Sequence, residues 1–404
     1  MRETRAALTD ADPEAVLHFE MGGPAFRLMQ RVGLIQGNGP SVARRSLCFV
    51  AITWIPIVFL AAAEGNAIGA TPRSSLLLDY ATYARLFIAL PLIFAAEAVV
   101  GPRLRAAGLR FLRADILHPE SITAFREALA RVQRRREATL PEILFVLVAL
   151  AGASFLTVER LSGLEAGSGA TTWRGNILEP TLAGLWYYMV AMPLVQFFVL
   201  RWLWRWAIWA MFLRNLARLR LNLLPTHTDM AAGLGFLGAA HVSMAIFAFG
   251  TSCIIAAETA FRLQFEGLTL SGLQTMLPLL VAYLLLVELI VFGPLLLFLP
   301  VLAGARREGL RAYGTLVQQH NQLFHDKWIK GQGSTGESPL GHPDMSSLVD
   351  LGSSFTVVRE MNVVPVGRRQ LLQVAVIACL PGLPVVFLVL PLGEVAKLFL
   401  GIVI

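Results

Sequence analysis

Between Gln274 and Ala305 the chain runs for 32 residues with a single charged side chain, Glu288, close to the middle. At ~1.5 Å per residue, ~20 apolar residues cross the ~30 Å of bilayer hydrocarbon, so this stretch spans a membrane and sets a carboxylate near mid-depth. An acid there costs roughly 2.5–3.5 kcal/mol on insertion scales, so Glu288 is expected to be paired, protonated or lining a wet cavity rather than facing lipid. Gly293-Pro294 follows about one turn later and loosens the helical hydrogen-bond ladder, which predicts a kink beside the acid.

Composition agrees with a membrane setting, because 15% of the residues are charged and 56% hydrophobic, against ~25% charged in soluble domains. Apolar runs predict seven spans, at about 46–64, 83–101, 141–158, 180–200, 232–257, 274–302 and 371–390. Arg44-Arg45, an apolar run and Ala61-Ala62-Ala63 mimic a cleavable signal. Pro56 interrupts that run and many spans follow, so it reads as an uncleaved first span. The tail 1–45 and the segments 102–140, 201–231 and 303–370 hold 28 of the Lys and Arg, and the alternate side holds 6. Positive charge near span ends is retained in the cytoplasm, so the N-terminus is predicted to be cytoplasmic.

The fold class is therefore all-α: a polytopic transmembrane helical bundle of about seven spans with a small cytoplasmic helical layer. Ile122, Phe125, Leu129 and Val132 recur at helical spacing between 119 and 136. Leu310, Tyr313, Val317, His320, Phe324 and Trp328 form a second stripe, and Met345, Leu348, Phe355 and Val358 a third, with Asp344 placed to cap its helix. The residues 331–341 read as the linker between the last two. The segment 371–404 holds the last span and an outer tail that either extends the span or lies in the interface. Cys48, Cys253 and Cys379 sit in apolar segments without pair spacing, which supports neither a disulfide framework nor a metal site. No internal repeat is evident.

Arg outnumbers Lys 31 to 3, and Trp202, Trp204, Trp206 and Trp209 interleave with Arg201 and Arg205. Such alternation suits single-stranded nucleic acid in a soluble protein. Directly after a span it predicts an interfacial belt that contacts anionic lipid head groups, so the expected partners are the bilayer and a second copy of the chain, not nucleic acid.

Five polar residues are candidates for function. Glu288 and Glu97 offer carboxylates to a conduction path, and Glu97, late in the second span and four residues before Gly101, is placed to reach cytoplasmic water or Arg103. His227 and Asp229 precede the fifth span and His241 lies a turn inside it, residue types that suit a metal site or proton relay, although their spacing matches no strong metal motif. Asp229 is also an N-cap candidate, and Gly233, Gly235 and Gly238 permit a close helix approach. Glu142 follows Pro141 in a first helical turn, where the helix dipole alone accounts for an anion. No catalytic residue or cofactor is assigned. The favoured reading is transport or permeation of a small ion or solute. The alternatives are a scaffold or sensor presenting cytoplasmic helices to a partner and, less favoured, a metal-dependent membrane enzyme.

The pieces YARLFIALP at 83–91 leading to Glu97, HTDMAAGLGFLG at 227–238 and DMSSLVDLGSSF at 344–355 resemble an uncharacterised family of proteobacterial multispanning membrane proteins. The resemblance covers most of the chain after residue 45. It implies a bacterial inner-membrane protein of this topology and attaches no activity or site residue.

Overall fold

Prolines and tryptophans decide how the spans are stitched together. The computed structural model describes residues 17–19, 21–35, 41–161, 172–175, 180–331 and 342–389. Their helices are α1 (Pro24–Arg31), α2 (Val42–Ala63), α3 (Tyr80–Arg113), α4 (Ile122–Glu137), α5 (Thr139–Leu161), α6 (Leu182–Leu216), α7 (Gly235–Phe265), α8 (Ser271–Ile329), α9 (Pro343–Glu360) and α10 (Arg368–Leu388). Among the described residues, pairing outside helices is confined to the isolated bridges Leu117–Leu221 and Gly175–Pro180. The chain is an all-α membrane bundle, with α2, α3, α6, α7, α8 and α10 long and apolar enough to cross a bilayer. The predicted third span is α5, whose 23 residues reach ~35 Å and which packs along α6.

Two end faces result. At one, the Trp173 amide donates to the Arg73 carbonyl (3.3 Å) and the Tyr80 hydroxyl to Gln264 (3.1 Å). At the other, called here the basic end, the His118 amide donates to Arg220 (3.1 Å) and the Asn362 amide to Met230 (2.7 Å). Helices run past the predicted span limits at the basic end, to Arg113 in α3, Leu216 in α6 and Ile329 in the 59-residue α8. Arginine ends the hydrocarbon crossing but is a good helix former, so charge marks the membrane edge and not the helix end.

Pro56 and Pro294 lack an N–H, which frees the carbonyls four residues earlier, Ile52 and Ile290. The Trp186 indole donates to Ile52 (3.1 Å) and the Trp206 indole to Ile290 (3.0 Å). The predicted break after Glu288 is the six-residue 3-10 stretch Gly293–Phe298. Two other prolines, Pro91 and Pro193, follow the π-helical turns Ala84–Ala89 and Tyr187–Ala191. A π turn skips one hydrogen-bond register and so accommodates the donor that proline removes. Trp202 and Trp209 also turn inward, bonding the Ile93 carbonyl (3.0 Å) and His241 (2.9 Å). The expected belt is thus corrected: Trp202, Trp206 and Trp209 are buried, because α6 continues as a central helix whose indoles satisfy neighbouring spans.

The basic end carries the expected layer. α4 buries Phe125, Leu129 and Val132, and the far half of α8 packs against α9. Asp344 does not cap α9. Pro343 occupies the first helical position, His342 is the N-cap, and the Asp344 carboxylate accepts from Lys327 (2.9 Å) and Trp328 (3.0 Å). Part of the tail is ordered too, since Leu17, Phe19, Phe26 and Met29 are buried, Phe19 edge-on to Trp209 at 5.2 Å. The positions 1–16, 332–341 of the linker and 390–404 of the outer tail lie outside the described residues.

Candidate functional site

Glu97 is the hub of a charged cluster inside the bundle. It projects from α3 into a volume bounded by α2, α5 and α6 and is 4% exposed, with Arg45, Arg201 and Arg205 at 0%, 3% and 5%. Its Oε2 lies 2.6 Å from Arg45 Nη2, and its Oε1 lies 2.8 Å from Arg205 and 3.7 Å from Arg201. The Arg45 guanidinium also sits over the Phe94 ring at 5.0 Å. Arg201 donates to Glu142 (3.1 Å) and to the Gly22 carbonyl (3.0 Å), and Glu142 accepts the Ala25 amide (2.6 Å). Three guanidiniums and two carboxylates leave one net positive charge, and Arg205 Nη2 is buried without a hydrogen-bond partner among the described residues.

This geometry corrects two expectations. Glu97 does not reach water or Arg103, since its carboxylate is consumed by cations from two other helices. Arg201 and Arg205 do not snorkel to lipid head groups. Their four-residue spacing, which puts both on one helix face, is the signal in the sequence that they share a partner. Desolvating such a cluster costs free energy that ion pairing only partly returns, and removing one partner leaves a buried charge uncompensated.

His241 is separated from His227 and Asp229. Its Nε2 accepts from Trp209 (2.9 Å) and its Nδ1 bonds the Val291 carbonyl (2.7 Å), so both ring nitrogens are committed to packing. Among the described residues no three His, Cys, Asp or Glu side chains group to hold a metal. Glu288 is half-buried, and its Oε2 is buried with no hydrogen-bond partner among the described residues. Two polar aromatic side chains of the bundle are engaged by other groups. Tyr283 bonds Thr251 (2.7 Å), Ser252 (2.9 Å) and the Ala248 carbonyl (3.0 Å), and Trp186 bonds Ile52.

His227 and Asp229 do come together, with Nδ1 2.9 Å from Oδ1. The Asp229 carboxylate also accepts the amides of Ala231 (2.9 Å), Gly233 (3.0 Å) and Gly235 (2.8 Å). It performs a cap's function for the start of α7 from outside the helix, where Leu234 is the N-cap. Burial alone would raise this carboxyl, but the three amides and His227 outweigh it and hold it below its ordinary value. The turn is tight: Met230 (φ 57°), Ala232 (φ 53°) and Gly233 (φ 95°) are left-handed, which for the two non-glycines costs roughly 1–3 kcal/mol each. Of the three glycines, Gly233 and Gly235 face the His227–Asp229 turn and Gly238 faces the entry to α10. A Cβ on Gly238 would stand 2.5 Å from the Pro365 carbonyl, so Gly238 admits the loop entering α10. The two elements enclose a cleft of about 520 Å³ lined by Asp229, Asn362, Arg368, Arg369 and Gln373.

The opposite end holds a group that sequence patterning does not reveal. Asp79 caps α3 through the Thr82 amide (2.9 Å), accepts the Trp173 indole (2.8 Å) and pairs with Arg174. Arg174 lies over Trp173 (4.6 Å) and Tyr187 (4.7 Å). Burial would raise the Asp79 carboxyl, but Arg174, Trp173 and Thr82 overcome it and hold it below its ordinary value. Arg73 adds a clamp to Glu258 and Glu266. Glu288 lines neither the basic-end cleft nor the small cleft beside Asp79 and Arg174.

Compared with known proteins, the chain matches no family model, no curated protein and no solved structure.

Proposed function

We propose that the protein is a bacterial inner-membrane scaffold or sensor that works at its basic end, which faces the cytoplasm. One observation carries this reading. Beyond the membrane, α8 and α9 form a two-helix layer in which Leu323, Ile329 and Val349 are 70%, 67% and 65% exposed. Exposed on the layer outside the spans, these side chains are available to a partner. The 28-to-6 bias of basic residues supports the orientation, and the three sequence pieces resembling a proteobacterial family support the address. The membrane interior adds to it, since the charges around Glu97 and both nitrogens of His241 are tied to protein groups.

Orientation is checked with reporters. An alkaline phosphatase fused after Gly65 or Gly267 should be active, and one fused after Gly331 inactive; the reverse pattern would invert the assignment. The platform is checked by complementation of a deletion strain. Leu323→Glu/Ile329→Glu/Val349→Glu should lose complementation at normal membrane levels, while Glu288→Gln keeps it.

Transport of a small ion or solute is the second reading. The observation favouring it is the buried, unpartnered Glu288 Oε2, just before the 3-10 stretch. An intramembrane acid without a partner marks a functional position by default. Loss of complementation by Glu288→Gln, with the apolar triple variant intact, would put transport first.

A further inference from the structure

The cleft at the basic end is 520 Å³, within the range of sites that hold a small ligand or a head group. Its charge is unbalanced. Asp229, the acid in its lining, has both oxygens engaged by the amides of Ala231, Gly233 and Gly235. Arg368 and Arg369 are exposed, and among the described residues neither is held in an ion pair. Gln370 spends its Oε1 on the Gly367 amide, so its amide group has only donors left to offer, and Asn362 and Gln373 add further carboxamides. The cleft therefore presents two guanidiniums outside any ion pair, one more positive charge than the Asp229 carboxylate balances, and several N–H donors, the chemistry that recognises a phosphate.

We propose that this cleft binds the phosphate-bearing head group of an anionic phospholipid. Its place in the fold decides for lipid over a soluble phosphate. Directly below Arg368 and Arg369, α10 enters the membrane with Leu372 and Val376 outward, 65% and 54% exposed. A head group held at the guanidiniums has an apolar helix face along which its acyl chains lie. Basic pockets between spans at the membrane edge are the usual seat of such head groups. The wall opposite is held in a fixed shape by the Asp229 turn, and Gly238 lets the loop at 365–370 approach it closely. The site stands independently of the scaffold reading.

The test uses the purified full-length chain in a neutral detergent, titrated with phosphatidylglycerol or phosphatidylcholine, with bound lipid counted by native mass spectrometry. Wild type should retain phosphatidylglycerol, and Arg368→Gln/Arg369→Gln should weaken it roughly ten- to thirty-fold, with phosphatidylcholine equal in both. A control pair, Arg126→Gln/Arg134→Gln, removes the same charge from exposed positions on α4 and should bind like wild type. Equal loss in both pairs, or none in the cleft pair, overturns the site. Displacement of phosphatidylglycerol by inorganic phosphate at sub-millimolar concentration overturns the lipid assignment and gives the cleft to a soluble phosphate ligand.

Discussion

Glu97→Gln should lower the stability of the bundle by ~3–5 kcal/mol, the cost of breaking a buried ion pair by removing one partner. The substitution keeps shape and volume but leaves Arg45, Arg201 and Arg205, none more than 5% exposed, with Glu142 as the remaining carboxylate. Loss of folded protein in detergent, read by size-exclusion profile and melting temperature, is the expected result. Two comparisons separate this from a generic core defect. Glu97→Gln combined with Arg205→Met removes one orphaned cation and should recover part of the loss. Glu288→Gln, an acid in a neighbouring span without a cationic partner, should leave the melting temperature unchanged or raise it. If Glu97→Gln is as stable as wild type, the arginine cluster is not an ionic one.

Asp79→Asn should cost about 3 kcal/mol, since it strips the counter-charge from Arg174, which is 9% exposed and enclosed by Trp173 and Tyr187. On a chain of this size that corresponds to a drop in melting temperature of about 3–4 °C. The pH dependence has a definite sign. The folded carboxyl lies below its ordinary value, so its stabilisation is complete above the unfolded value of about 4 and is lost as pH falls through the folded one. The melting difference between wild type and Asp79→Asn should be constant from about pH 5 upward and shrink below about pH 4. A difference that persists undiminished at about pH 3 would assign the effect to hydrogen bonding or packing and not to charge.

Much of the architecture is legible in the chain without coordinates. Hydrocarbon thickness fixes how many apolar residues a crossing needs, so all seven predicted runs recur as helices. Helical spacing on 122–132 finds the buried face of α4, and Pro294 finds the 3-10 break, because proline removes a donor whatever surrounds it. These are local properties, set by the covalent structure of a residue and by its near neighbours in sequence.

The site is a different matter. Glu97, Arg45 and Arg201 come from three helices; four-residue spacing puts Arg201 and Arg205 on one face, but no periodicity says that this face turns inward to pair and not outward to lipid. Arg44 and Arg45 are adjacent and alike in sequence, yet Arg44 is exposed and Arg45 fully buried. Tryptophans next to arginines at a span end carry the same composition whether they form a belt or a core. What settled Trp202, Trp206 and Trp209 is that α6 is central, with acceptors on α3, α7 and α8 within reach of its indoles. His241 has the residue type of a ligand, and only the packing of Trp209 and Val291 around it commits both nitrogens. The sequence by itself determined what crosses the membrane, because that is a transfer free energy summed along a segment. Tertiary structure alone decided which charges meet, because pairing depends on distances between segments that the order of residues does not encode.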